Sequence, residues 1–219
     1  CIASNLQQLG ITNGDSVGKA GFITSVYIML VPVVGLFFKK KTHPLIWLCA
    51  VVSAVGLYFL SVDPARGAFN IEFSDLAYLG CAVFFAVQII LVSIYSPQVN
   101  CIALSCIQFA VAAVFSGIGM LFFETPSFAA ILNAAGPLLY AGILSCGIAY
   151  TLQVIGQRGI DPAIASLIMC LESVFSVIAG FLLLNQRMTP REILGCGIMF
   201  AATVAAQLIP STQKKNSRN

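Results

Sequence analysis

Apolar residues along this chain come in long blocks broken by short polar punctuation. Every residue from Ala20 to Phe38, between Lys19 and Lys39, is uncharged, and that run is close to the ~20 residues an α-helix needs to cross the hydrocarbon core. The same pattern predicts membrane spans over 44–62, 76–96, 98–123, 135–157, 162–184 and 193–209. Residues 1–12 are too short to cross alone and read as the end of a further helix whose beginning is missing. The expectation is an all-α, polytopic membrane helix bundle with seven full transmembrane helices plus the end of an eighth.

Composition turns that pattern into a statement about solvent. Of the residues, 59% are hydrophobic and 9% charged, against roughly 25% charged in soluble domains. A soluble fold cannot hide so much apolar surface, so lipid must cover it. The 8 cysteines are scattered without a CxxC pair, and His43 is the single histidine, beside Lys41 in a loop. They read as buried small hydrophobes, with no disulfide framework and no metal site. Nothing in the sequence asks for a cofactor or for nucleic acid.

Lys and Arg in short loops set orientation. Lys39, Lys40 and Lys41 and the tail 210–219, with Lys214, Lys215 and Arg218, are expected in the cytoplasm, and Arg158 on the same side. An even number of spans between the first two groups agrees with that. The opposite loops hold Asp63, Arg66, Glu72, Asp75, Glu124, Arg187, Arg191 and Glu192. The expected location is the plasma (inner) membrane, C-terminus cytoplasmic.

An internal repeat changes the picture most. Gly18, Ile23, Ser25, Leu30 and Val33 have the spacing G-x4-I-x-S-x4-L-x2-V, which recurs at Gly159, Ile164, Ser166, Leu171 and Val174. Upstream, Leu6-Gln7-x-x-Gly10 is matched by Leu152-Gln153-x-x-Gly156, at an offset that a short loop insertion explains. The chain then reads as the remnant of a ten-helix inverted repeat (5+5), since an odd number of helices per copy reverses the second copy in the membrane. Residues 1–62 are the expected end of the first half, 73–209 the second half and 210–219 a tail.

Particular stretches carry a family likeness. Ala163-Ile164-Ala165-Ser166 through Leu171-Glu172, Gly180-Phe181-Leu182-Leu183-Leu184 and Leu194-Gly195 resemble the last two helices of EamA-type transporters of the drug/metabolite transporter superfamily. Gly147-Ile148-Ala149-Tyr150, and Gly21-Phe22-Ile23-Thr24-Ser25 with Pro32, also resemble the family pattern. The chain departs from it at Glu172-Ser173, where members commonly have Glu-Pro, and at Gln186, where they commonly have Glu. The resemblance implies two inverted five-helix halves around a central cavity, and movement of small metabolites such as amino acids, or of drugs.

Polar residues inside spans are the candidates for a substrate or proton pathway. An ionised carboxylate at mid-span costs roughly 2.5 to 3.5 kcal/mol on insertion scales, so Glu172 is expected to face the bundle interior and to serve as a proton carrier. Ala165, Ser176 and Ala179 share its face by helical spacing, while Leu167, Leu171, Val174 and Phe181 are expected toward lipid. In the preceding helix, Gly142, Ser145, Cys146, Ala149, Gln153 and Gly156 line one face, with Gln153 as the candidate ligand. Gln88, Gln108, Tyr27, Tyr150, Ser25 and Ser166 complete the set, and Pro32 is the candidate hinge. For each alone, a helix-packing role is as good a reading.

Helix ends are marked by Asp161-Pro162 and by the capping box Thr189 to Glu192. Ala201-xxx-Ala205 and Ala202-xxx-Ala206 permit close packing within the bundle or in a homodimer. The function expected is transport of a small molecule by alternating access in a lipid bilayer. The alternatives are a seven-helix receptor and a nonfunctional truncated product. A membrane enzyme is disfavoured, because no HExxH, nucleophile elbow or paired intramembrane carboxylates occur.

Overall fold

The computed structural model describes residues 2–13, 17–39, 42–61, 73–123, 127–184 and 188–209, and these are helical apart from short turns. The helices are α1 (Ile2–Asn13), α2 (Val17–Thr24), α3 (Tyr27–Phe37), α4 (Pro44–Ser61), α5 (Phe73–Tyr95), α6 (Cys101–Phe123), α7 (Phe128–Asn133), α8 (Ala135–Leu139), α9 (Thr151–Gly156), α10 (Pro162–Leu184) and α11 (Pro190–Leu208). A π-helical stretch, Tyr140–Tyr150, joins α8 to α9. Among the described residues, 7 helical segments are long and apolar enough to cross a membrane, as the hydrophobic blocks predict. The segments that carried the orientation argument, Lys40, Lys41, Asp63, Arg66, Glu72, Glu124, Arg187 and 210–219, lie outside the described residues, as does Gln186.

Caps fix the ends where sequence periodicity leaves them loose. The helix expected from residue 98 starts at Cys101, because Asn100 Oδ1 accepts from the N–H of Ile102 (2.9 Å) and Ala103 (3.4 Å). The last helix starts at Pro190 rather than at residue 193, since Thr189 and Glu192 form a reciprocal capping box. Asp161 Oδ1 likewise accepts from the Ala163 N–H at 2.9 Å and opens α10.

Two spans differ in kind from the expectation of unbroken α-helix. The first is interrupted at Ser25–Val26, where the N–H groups of Val26, Ile28 and Met29 reach back only three residues, to Ile23, Ser25 and Val26. Pro32, the expected hinge, sits buried inside an unbroken α3. The interruption therefore lies above the proline, at a tightened i→i+3 turn. The second is the Tyr140–Tyr150 stretch, whose wider turn abolishes the three-and-four spacing used to assemble the Gly142–Ser145–Cys146–Ala149 face.

The chain divides into two compact units, Leu91–Ile160 and Ile2–Ile90 with Asp161 onward. In the larger unit α4 packs along α11, α3 along α10, and α10 against α4 and α11. The α4–α11 crossing is a backbone contact: a Cβ on Gly195 would meet the Gly56 carbonyl oxygen at 2.6 Å and the Leu60 nitrogen at 2.9 Å. Ala202 and Ala206 are buried while Ala201 and Ala205 are exposed, so of the two alanine pairs the former packs within the unit. At one end of the crossing, the Arg191 guanidinium lies over the Tyr58 and Phe59 rings at 5.3 and 5.4 Å.

In the smaller unit α6 packs against α9. Val92, Cys101 and Val154 form a buried cluster, with Leu104 against it. Beyond that cluster, the outward residues of α6 and of the π-helical stretch are large, apolar and exposed, among them Val114, Phe115, Leu121, Ile143 and Leu144. In a bilayer, apolar surface of this kind suits hydrocarbon or another apolar helix.

Candidate functional site

Helix α10 carries Glu172, and the burial along it decides which way the carboxylate points. Ala163, Leu167, Cys170 and Val174 follow the i, i+4, i+7, i+11 rhythm of one helical face and are buried, Leu167 at 0% exposure and Val174 at 5%. This is the stripe that packs on the other helices of the unit. The expectation that Leu167 and Val174 face lipid is therefore overturned. Glu172, Ser176 and Ala179 lie on the opposite side of α10 and are exposed. Ala165 does not join them, because residues 161–167 are buried all round the first turns of the helix.

Helical spacing groups Glu172, Ser176 and Ala179 on one face, and all three are exposed on the side of α10 opposite the packed stripe. An uncovered carboxylate in the middle of a span is nonetheless a demanding object. Hydrocarbon cannot solvate it when ionised, so it requires a polar neighbour, a water-filled path or a proton.

Behind Glu172, the packed side of α10 holds a polar seam. A side-chain hydrogen bond joins Ser25, at the interruption between α2 and α3, to the Cys170 thiol. Ser166 is fully buried and donates through Oγ to the Ala163 carbonyl at 2.8 Å. Thr203 of α11 donates through Oγ1 to the Met199 carbonyl at 2.9 Å and stands 3.4 Å from the Leu167 carbonyl. Tyr27 is buried with its ring tilted against Phe85, centroids 6.3 Å apart, and Gln88 on α5 is half-buried. Ser25, Ser166, Tyr27 and Pro32 are thus buried within one packed unit, and Glu172 and Ser176 are exposed on it.

The remaining candidates belong to the smaller unit. Tyr150 packs edge-on against Phe109, centroids 6.5 Å apart, which sets the register of α6 against the end of the π-helical stretch. Gln108 on α6 and Gln153 on α9, which packs against it, are half-buried. Gly142, Ser145, Cys146 and Ala149 are exposed. Cys170, Thr203 and Asn100 escaped the sequence reading. The first two offer no signal beyond a small polar residue in a span. Asn100 did carry one, as a capping residue directly before an apolar block.

Among the described residues, no group of three or more His, Cys, Asp or Glu side chains stands where a metal could be held.

Comparison with known proteins bears on this arrangement. Residues 72–206 match the EamA-like transporter family. A protein of Archaeoglobus fulgidus described as an uncharacterized transporter is 30% identical over 192 residues, which make up 87% of this chain and 60% of that protein. The chain therefore spans about 60% of the length of that curated relative. A solved crystal structure superimposes with a TM-score of 0.77 at 17% identity, over 97% of this chain and 74% of its own, and so shares the fold.

Proposed function

The chain belongs to the EamA-like transporter family, and we propose that it acts in a carrier that moves a small metabolite, an amino acid or related compound or a drug, through the plasma membrane by alternating access. The reading rests on Glu172. It stands near the middle of a membrane-spanning helix, on the side opposite the packed stripe, with Ser176 one turn away. A carboxylate and a hydroxyl on an otherwise apolar helix form a place where a polar ligand or a proton can be held.

The repeat supports the alternating part of the reading. The helices that carry the repeated spacing, α2–α3 and α10, meet through α3 and α10 and through the Ser25–Cys170 hydrogen bond. Two inverted halves in contact along such a seam can rock about it, exposing a central path to one face and then the other. The tightened turn at Ser25–Val26 supplies a place where the first repeat can bend, with Pro32 just below it.

Glu172 is assigned the proton. Protonated, it can cross states without leaving a charge in hydrocarbon; ionised, it can release that proton to the other side. The test is flux of neutral amino acids into proteoliposomes under an imposed pH gradient, with the wild type and Glu172→Gln. Glu172→Gln is expected to abolish the acceleration by the gradient and to leave folding intact, because the side chain lies on the exposed side of α10. Undiminished gradient-driven flux in the variant would sink the proton assignment.

A further inference from the structure

Among the described residues of the Leu91–Ile160 unit, Arg158 alone carries a formal charge. It stands in the turn after α9, where its backbone N–H bonds to the Ile155 carbonyl at 3.1 Å and Gly159 takes a φ of 77°, a left-handed conformation that favours glycine. Facing it is the turn between α5 and α6. Ser93 Oγ, near the end of α5, donates to the Ile160 carbonyl at 3.5 Å and ties the two turns together, while within the α5–α6 turn the Cys101 thiol donates to the Ser96 carbonyl at 3.6 Å, beside the Val92–Cys101–Val154 cluster. Between them lies a cavity of about 400 Å³ lined by Val99, Asn100, Cys101, Ile102, Ile155 and Arg158.

The lining has two chemistries. The guanidinium of Arg158 offers a fork of donors with a permanent positive charge. Asn100 spends its side-chain oxygen on the Ile102 and Ala103 N–H groups, which leaves its amide nitrogen to donate. The first turn of α6 adds the positive end of a 23-residue helix. Val99, Ile102 and Ile155 form apolar walls continuous with the exposed apolar surface of the unit.

The geometry points to a headgroup site for a net-anionic glycerophospholipid in this cavity. Its phosphate oxygens accept from Arg158 and Asn100, and its glycerol and upper acyl carbons lie against Val99, Ile102 and Ile155. A free phosphate would satisfy the donors but leave the three apolar side chains facing water. The level in the membrane agrees, since α6 begins at Cys101 and α9 ends at Gly156, so the cavity sits where two spans end and headgroups begin. Arg158 has a competing task, to complement the negative end of α9, and the test separates the two.

The full chain is placed in nanodiscs of phosphatidylcholine with a minor fraction of phosphatidylglycerol, and the lipids retained on release are counted by native mass spectrometry. The wild type is expected to retain phosphatidylglycerol preferentially. Arg158→Gln lowers that retention about fivefold, the worth of one basic residue near an anionic membrane. Asn100→Asp keeps the oxygen that caps α6 but replaces the amide donor with a negative charge, and lowers retention likewise. Thermal midpoints in pure phosphatidylcholine stay equal for the three proteins. The proposal is overturned by wild-type retention in Arg158→Gln, by displacement of the lipid with millimolar inorganic phosphate, or by a fall in thermal midpoint that accounts for the lost retention.

Discussion

The α4–α11 crossing and the hairpin of α6 with the π-helical span are built from similar apolar residues, yet they differ in what their backbones touch. At the crossing, Gly56 and Gly195 bring two helices into backbone contact, closer than any side chain allows. On the hairpin, a Cβ added at Gly117, Gly119, Gly136 or Gly142 would meet nothing within 4 Å. Glycine in the first region is there for closeness. In the second it confers only freedom, which costs a helix about 1 kcal/mol per residue relative to alanine. One region is thus fixed by contact, and the other keeps its surface open to lipid or to a partner.

The strongest way to break the comparison is to place the same methyl group in both regions. Gly195→Ala drives a Cβ into the Gly56 carbonyl and the Leu60 backbone nitrogen, neither of which can swing aside. The two helices must separate, and overpacking of this kind costs about 1 to 3 kcal/mol. Loss of thermal midpoint in detergent, with a drop in monodisperse yield, is the expected result. An unchanged midpoint would mean that the crossing yields, and the contrast with the hairpin would fall.

A smaller effect is expected where α11 enters the crossing. Thr189→Ala removes the acceptor for the Glu192 N–H and the hydroxyl donor to the Glu192 carboxylate, leaving the residue-189 backbone N–H as a donor, at a cost of about 1 kcal/mol. It frays the end that carries Arg191 over Tyr58 and Phe59. Hydrogen exchange should accelerate at residues 190–193 and leave the Gly195 level protected. Exchange spreading through Gly195 would show that the cap, rather than the glycine contact, holds the crossing.

The sequence made these two regions look more alike than they are. Span positions were legible because membrane thickness sets their length and charges mark their ends. The caps at Asp161 and Thr189 were legible because they are local chemistry. The direction of the Glu172 face was not, since periodicity groups residues on a face without saying which face another helix covers. Leu167 and Val174 look lipid-facing by composition and are in fact the packed stripe. The π-helical stretch was hidden because a reading at 3.6 residues per turn presumes the helix it looks for. The Gly56–Gly195 contact joins residues far apart in the chain, and neither sits in a glycine motif that marks close approach.

Gly117→Ala is the mildest change and the one that most sharpens the comparison. The residue lies within α6, among the exposed side chains of Val114, Phe115, Ile118 and Leu121, and the added Cβ has open space. Alanine there restricts the unfolded chain and favours the helix by up to about 1 kcal/mol. The thermal midpoint should therefore rise slightly, opposite in sign to Gly195→Ala although the two substitutions are chemically identical. If it falls instead, something in the assembled protein presses on α6 at Gly117 as closely as Gly56 presses on Gly195. The open surface of the hairpin would then be a helix-contact face, and the freedom ascribed to it would belong only to the chain described here.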